Sequence, residues 1–286
     1  WRCYPVGKRA LVIEGGGMKA AYANGVLSAF EEAGHTNWDA VYGTSAGGAM
    51  AAWFSAGQAR YAEKTWDYAA DQRILSYRRW ARRKGPLLDH EALLDIVYLD
   101  EHPIDQEAIR RCGHPVIVTA ADVHSGEVVY HDLRQGDLIS WLKATGRLPF
   151  ASGPTVAIDG REYLDGGILD PIPVRRAVAD GATEVTLVLN KPHGKRQKDN
   201  AVLAGMAARR YPKLREGILH HHQIKGAALD YAENPPKGLM VHIVRPSKAT
   251  GLSRLSRDLD AIRSGIEQGR ADGHALLAAQ GQTYPA

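Results

Sequence analysis

The chain has 286 residues, 44% of them apolar, which is enough for one large α/β domain with an appended subdomain. Its 36 Lys and Arg residues only slightly outnumber its 32 Asp and Glu residues, which excludes a long basic tail for nucleic-acid binding. Two cysteines in unrelated settings, Cys3 and Cys112, argue against a disulfide framework and a structural zinc site. They fit a reducing, cytoplasmic compartment.

No apolar run approaches the length of about 20 residues that spans a bilayer. The first ten residues lack the apolar segment of a signal peptide. The sequence therefore predicts a cytoplasmic protein that is soluble or bound peripherally at the inner membrane surface.

The first predicted unit is a strand, a glycine loop and a helix. Residues 10–14 form an apolar run typical of a buried parallel strand, and residues 20–33 have helical spacing up to Gly34. Between them lies Gly-Gly-Gly-Met-Lys, residues 15–19. Bare N–H groups before a helix attract negative charge, so this loop predicts an anion site. The sequence lacks the Gly-Lys-Ser/Thr of a P-loop and the acidic residue of a dinucleotide site, which favours an oxyanion hole.

The second unit contains the candidate nucleophile. Residues 40–42 predict a short strand, and residues 43–47 read Gly-Thr-Ser-Ala-Gly before an Ala- and Gly-rich helix. In such an elbow the serine occupies a strained turn, and Gly43 and Gly47 let the strand and the helix approach closely. Ser45 is therefore the candidate nucleophile. The alternative is a tight strand-to-helix turn without chemistry.

Helical segments are predicted at residues 60–70 and 88–99, with a basic run between them. Its bases and its central tryptophan are Arg78, Arg79, Trp80, Arg82, Arg83 and Lys84. Cations interleaved with aromatic rings suit contact with anionic lipid head groups. A solvated charged surface is an equally good interpretation, because short basic runs are common on soluble proteins.

The next strands lead to the candidate base. Residues 116–121 predict a buried strand with residues 127–130 beside it, and Asp159-Gly160 predicts a hairpin turn. The second arm of that hairpin ends in Asp165, which two glycines follow. A carboxylate at a strand end can act as the general base of a serine. The alternative is an ordinary Asp-Gly turn.

The remainder of the chain predicts a separate extension. The polar residues 191–200 form a linker between a catalytic domain, residues 1–190, and a mainly helical extension, residues 201–286, packed on it. A long helix is expected at residues 201–232, a strand at 239–244 and a final amphipathic helix at 253–279. Three adjacent histidines at positions 220–222 point in different directions on a helix, so we interpret them as surface residues and not as metal ligands.

Taken together, the glycine loop, the serine elbow and the Asp-Gly-Gly segment resemble the motifs of the patatin-like phospholipases. The resemblance covers residues 10–190, and the C-terminal part resembles the extension of a bacterial branch of that family. It implies an α/β fold with a mostly parallel central sheet flanked by helices.

The resemblance also implies a serine lipid acyl hydrolase that works through an acyl-enzyme without metal or other cofactor. Ser45 would attack the ester and Asp165 would take its proton. The oxyanion hole would be formed by the backbone of Gly15, Gly16 and Gly17, and supporting positions would be Lys19, Gly43, Gly47 and Gly166. The implied partner is a fatty-acyl lipid and not a nucleic acid.

Two departures and three alternatives accompany this interpretation. Ala20 stands where the family usually has glycine, and Arg147 is expected at the acyl entrance in place of a small residue.

The alternatives are a hydrolase of the α/β type with a triad that includes His242, a catalytically silent lipid-binding protein, and an acyltransferase. The single strand predicted before the elbow argues against the α/β-hydrolase type.

Overall fold

The structure is a computed structural model that describes residues 7–194 and 201–281. Residues 195–200, which include most of the predicted linker, lie outside the described residues. The division into a catalytic domain and an extension remains a prediction, although residues after 200 contribute both to the central sheet and to its helical cover.

One mixed sheet forms the centre of the molecule. Its strands are β1 (Lys8–Ile13), β2 (Ala40–Gly43), β3 (Val116–Asp122), β4 (Val128–Asp132), β5 (Val156–Ile158), β6 (Arg161–Asp165), β7 (Ala182–Val188) and β8 (Met240–Val244). The order is β5-β6-β3-β2-β1-β7-β8, with β4 also paired to β3. Strands β3, β2, β1, β7 and β8 run parallel, and β4, β5 and β6 add antiparallel pairs. The predicted mostly parallel sheet is confirmed.

Helices cover both faces of the sheet. The α-helices are α1 (Ala20–Glu32), α2 (Ala46–Ser55), α3 (Ala59–Ala62), α4 (Tyr77–Ala81), α5 (His90–Ala92), α6 (Gln106–Arg111), α7 (Leu138–Thr145), α8 (Val174–Ala179), α9 (Ala201–Arg210), α10 (Arg215–Leu219), α11 (His221–Glu233) and α12 (Leu259–Ala279). Short 3-10 segments occupy Gly17–Lys19, Glu63–Ala70, Gly166–Ile168 and Pro212–Leu214, and a π-helix occupies Leu93–Glu101.

The core lies in two layers because successive side chains of a strand point to opposite faces. In β1, Leu11 and Ile13 pack with α1, α2, α7 and α12, whereas Ala10 and Val12 pack with α8 and α11. A strand that is buried on both faces needs the continuous apolar run that predicted it.

Helix α12 packs directly on α1, the helix that follows the glycine loop. A Cβ atom at Gly269 would lie 2.0 Å from the carbonyl oxygen of Tyr22, so only glycine allows this approach. The Tyr22 hydroxyl donates to Asp272 at 2.8 Å, and Arg270 pairs with Glu32 and Glu63. The last helix of the described chain therefore fixes the helix behind the glycine loop.

Three predicted helices differ from the structure. The prediction of one long helix at residues 201–232 is wrong, because this segment forms three separate α-helices, α9, α10 and α11. Pro212, which has no N–H, lies in the 3-10 turn between α9 and α10. The final helix begins at Leu259 and not at residue 253, since Asp258 caps its first N–H groups. The segment predicted at residues 60–70 is mostly a 3-10 helix, Glu63–Ala70.

Candidate active site

Ser45 lies at the turn between β2 and α2 with φ 56° and ψ −131°, in the strained left-handed region. The surrounding glycines are required by close contacts. A Cβ atom at Gly43 would lie 2.3 Å from the carbonyl oxygen of Gly47, and one at Gly47 would lie 2.6 Å from that of Glu14. The backbone N–H of Ser45 donates to the Thr145 hydroxyl at 3.0 Å. These contacts hold the serine hydroxyl at the carboxyl edge of the sheet.

Asp165 ends β6 and lies beside the serine. Ser45 Oγ donates to Asp165 Oδ2 at 2.7 Å, and the Gly167 N–H donates to Asp165 Oδ1 at 2.7 Å. The backbone N–H of Asp165 donates to the Arg147 carbonyl at 2.8 Å. A Cβ atom at Gly166 would lie 2.2 Å from Thr119 Oγ1, so glycine allows the turn to pass against β3. Both oxygens of the carboxylate are therefore fixed.

Burial sets the basicity of Asp165, whose exposed fraction is 3%. Burial raises the pKa of the Asp165 carboxyl to about 6, and the hydrogen bonds from Ser45 and Gly167 and the charge of Arg254 partly offset this rise. At neutral pH the group is ionised, yet it is a stronger base than an ordinary carboxylate. Such a group can accept a proton from a hydroxyl that already points at it.

The glycine loop lies across from this pair. Gly17 has φ +57°, and a Cβ atom at Gly15 would lie 3.0 Å from that of Ser45. The N–H of Gly15 donates to the Pro171 carbonyl at 3.4 Å. The backbone N–H groups of Gly16 and Gly17 have no acceptor in the described part of the chain. Of the three predicted oxyanion donors, Gly15 thus already has an acceptor, whereas Gly16 and Gly17 have N–H groups that a ligand could use. Lys19 ends the loop in the 3-10 turn Gly17–Lys19.

Two cavities meet at Ser45. One is a narrow apolar cavity with an empty volume of about 880 Å³, lined in its interior by Met50, Trp66, Ile74, Leu94, Tyr98 and Leu142. The other is wider, about 1410 Å³, and contains the glycine loop and Asp165. Ser45, Gly17, Leu148, Arg254 and Leu255 line both. A substrate with a long apolar chain and a bulky second half fits this arrangement.

Known proteins are similar to this chain over most of its length. A family model described as patatin-like phospholipase matches residues 11–178, more than half of the chain. The chain belongs to the patatin-like phospholipase family. It is thus a member of a family of lipid hydrolases, and the predicted family is confirmed.

Further similarities extend over the C-terminal part. A domain of unknown function, DUF6363, matches residues 211–284. The uncharacterized protein YjjU of Escherichia coli (strain K12) is 26% identical over 288 residues, which cover 98% of this chain and 80% of that protein. The crystal structure of VipD from Legionella pneumophila is similar with a TM-score of 0.49 and 12% identity, covering 96% of this chain and 67% of that one.

One support of the glycine loop comes from beyond the patatin-like segment. Glu14, which precedes the loop, is 2% exposed and accepts the N–H of Asn190 at 2.6 Å. The Asn190 side-chain amide donates to the Glu14 carbonyl at 2.8 Å. Lys225 of α11 forms an ion pair with the Glu14 carboxylate. The start of the loop is thereby tied to the C-terminal part of the chain.

Arg254 is the second support from that part. Its carbonyl oxygen accepts the Met18 N–H at 3.1 Å, and a Cβ atom at Gly17 would lie 2.4 Å from the same oxygen. Arg254 lines both cavities, and its Nη2 lies 3.4 Å from His221 Nε2. The sequence contained no signal for Lys225 or Arg254, because a single cation on an amphipathic segment looks like any surface residue.

His242, the histidine of the alternative triad, is on β8 with its Nε2 3.5 Å from Glu184 and lines neither cavity, so the structure does not bring it to Ser45. Three other side chains lie elsewhere than expected. The Arg147 side chain is buried against Glu91 and Ser152 and lines neither cavity, contrary to its expected place at the acyl entrance. His221 lines the wide cavity and is not a simple surface residue. Arg79 donates to the carbonyls of its own loop.

Proposed function

We propose that the protein is a serine lipid acyl hydrolase, of the phospholipase A, lysophospholipase or esterase kind, with a Ser45–Asp165 dyad. The observation that carries this proposal is the 2.7 Å hydrogen bond from Ser45 Oγ to Asp165 Oδ2 at the junction of the two cavities. The strained backbone of Ser45 and the raised pKa of Asp165 support it.

In the proposed reaction, Ser45 Oγ attacks the ester carbonyl carbon while its proton moves to Asp165 Oδ2. The oxyanion that forms accepts hydrogen bonds from the N–H groups of Gly16 and Gly17. Each of these hydrogen bonds is expected to supply about 3 kcal/mol of transition-state stabilisation. The leaving alcohol takes the proton from Asp165, and an acyl-enzyme remains. Water then attacks the acyl-enzyme and gives a proton to Asp165, which returns it to Ser45 Oγ as the fatty acid leaves.

The two cavities suggest how the substrate is arranged. The fatty-acyl chain would occupy the narrow apolar cavity, and the alcohol half would occupy the wide cavity beside the glycine loop. Burial of the chain gains about 0.8 kcal/mol for each CH₂ group. An apolar cavity of this kind favours lipid esters over small water-soluble esters.

We also propose a peripheral membrane contact at the mouth of the wide cavity. Trp80 and Phe150 line that cavity and are 47% and 39% exposed. Exposed bases near Trp80 are Arg78, Arg82, Arg83 and Lys84. Exposed aromatic rings with cations nearby in the sequence suit a bilayer surface, and contact there would bring lipid to the cavity. In the described residues, no helix is long and apolar enough to cross a membrane.

The test uses the full chain with a short-chain p-nitrophenyl ester and a fluorophosphonate probe in the presence of a metal chelator. Ser45→Ala and Asp165→Asn are compared with the parent and with Ser55→Ala, a serine at the other end of α2. We expect ester turnover by the parent, labelling at Ser45, and a loss of about 1,000-fold or more in turnover for both site variants.

Two outcomes would contradict the proposal. Full activity of Ser45→Ala would assign the chemistry to another group. A parent that is inert and unlabelled but binds anionic vesicles would favour the lipid-binding alternative.

A further inference from the structure

Arg254 has an unusual place among the cations of this chain. Among the described residues that line the two cavities, Arg254 is the only Lys or Arg and Asp165 is the only carboxylate. Arg254 lies where the cavities meet, next to Ser45 and Gly17. A substrate whose ester lies at Ser45 therefore lies beside Arg254.

The other half-buried arginines of the C-terminal part have protein partners. Arg245 pairs with Glu233, Arg270 pairs with Glu32 and Glu63, and Arg257 donates to the Ala70 carbonyl. In residues 7–194 and 201–281, Arg254 forms no ion pair, and its side-chain contact is His221. Half-buried guanidinium groups normally have an anionic partner, so the cavity side of Arg254 suits a negative group on a ligand.

Further positive charge surrounds the glycine loop behind Arg254. Burial and then the charges of Lys225 and Lys19 lower the pKa of Lys191 to about 8, with Glu14 opposing this effect and Arg254 adding to it. Arg254 thus adds to the positive potential at the glycine loop, and Glu14 offsets the part of it that comes from Lys225. A positive potential favours an anion nearby.

We infer that Arg254 binds the phosphate of the substrate head group and makes this enzyme prefer phosphate-bearing lipids to neutral esters. The inference rests on the proposed hydrolase function and makes its substrate class more specific. In a glycerophospholipid the phosphate is only a few bonds from the ester carbonyl. A phosphate in the wide cavity would thus lie next to a carbonyl held at Ser45. An arginine binds phosphate through two parallel hydrogen bonds.

The test compares two octanoyl esters that differ by one phosphate, octanoyl glycerol and octanoyl lysophosphatidic acid, both used as monomers to avoid a charged lipid surface. The variant is Arg254→Gln, which keeps the backbone carbonyl that accepts the Met18 N–H. The matched control is Arg263→Gln, from the same part of the chain but outside both cavities. The measured quantity is the ratio of kcat/KM for the phosphorylated ester to that for the neutral ester.

We expect Arg254→Gln to lower this ratio about 30-fold, mostly through KM, because a charge-assisted bidentate pair is lost. Arg254→Lys should recover part of it, and Arg263→Gln should leave it unchanged. An equal loss on both esters would overturn the inference, since it would mean that Arg254 acts only through the glycine loop. An unchanged ratio would overturn it as well.

Binding provides a readout that does not need turnover. In the Ser45→Ala background, titration calorimetry should show weaker binding of octanoyl lysophosphatidic acid when Arg254 is replaced by Gln. This result would support the phosphate site even if the parent hydrolysed neither ester, in which case the hydrolase proposal alone would fail. Binding of inorganic phosphate as tight as that of the lipid would contradict a role in substrate choice.

Discussion

The serine elbow and the glycine loop are built in different ways. Ser45 and Asp165 are fixed by residues of the patatin-like segment, such as Thr145, Gly167 and the backbone of Arg147. The glycine loop depends on residues outside that segment, because Lys225 pairs with Glu14 and Arg254 accepts the Met18 N–H. The Ser45–Asp165 pair is thus held within the patatin-like segment, whereas the glycine loop is held by contacts with the C-terminal part of the chain.

This difference separates two kinds of failure. Damage to the elbow should abolish the chemistry and leave the fold intact. Loss of the contacts that Lys225 and Arg254 make with the glycine loop should lower the unfolding free energy and also disturb the alignment of the loop, because the same contacts provide both. The following experiments use this contrast.

Among substitutions in the C-terminal part, Gly269→Ala is expected to have the largest effect on stability. The added methyl group would meet the Tyr22 carbonyl at 2.0 Å, so α12 must move away from α1. We expect a loss of about 3 kcal/mol or more in unfolding free energy, or a melting temperature lower by roughly 6–12 °C. Gly226→Ala is the control, since its new methyl group enters open space in α11. An unchanged melting temperature for Gly269→Ala would show that the two helices do not pack this closely.

A smaller effect is expected for Lys225→Met. Within residues 7–194 and 201–281, it leaves the buried carboxylate of Glu14 with the Asn190 N–H as its one hydrogen-bond donor. We expect a loss of about 2 kcal/mol in urea unfolding and a roughly tenfold lower kcat measured well below the melting temperature. Lys225→Arg should retain most of both. If Glu14→Gln restores kcat in the Lys225→Met background, the unpaired charge of Glu14 causes the loss. If Lys225→Met changes neither the unfolding free energy nor kcat, the ion pair has no such role.

The smallest effect concerns pH. Because Asp165 must be ionised to accept the serine proton, kcat/KM should fall about tenfold for each pH unit below a midpoint near the pKa of about 6. The charge of Arg254 lowers this pKa, so Arg254→Gln should move the midpoint upward. Lys225→Met should leave it in place. A profile that stays flat down to pH 4 would rule out Asp165 as the base.

The local part of the site could be read from the sequence. The elbow, the glycine loop and the Asp-Gly-Gly turn each consist of adjacent residues whose types are dictated by close backbone contacts, such as that between Gly43 and Gly47. The buried parallel strands were predictable for a similar reason, since both faces of β1 and β3 are covered and require apolar runs.

The remote part could not be read in this way. Lys225 and Arg254 are ordinary cations in the sequence, and only the fold brings them to Glu14 and Met18. The buried direction of the Arg147 side chain was likewise hidden, because its neighbours Gly146 and Leu148 do line the narrow cavity. The break of the predicted long helix at Pro212 was available from the sequence, since proline rarely continues a helix.

The packing of α12 on α1 has a consequence for the order of events during translation. Ribosomes release a chain from its N-terminal end, so Ser45 and Asp165 emerge well before Lys225, Arg254 and Gly269. Until those residues emerge, α1 lacks its cover and the glycine loop lacks the carbonyl that holds Met18. A nascent chain therefore carries Ser45 and Asp165 before the contacts that hold the glycine loop can form.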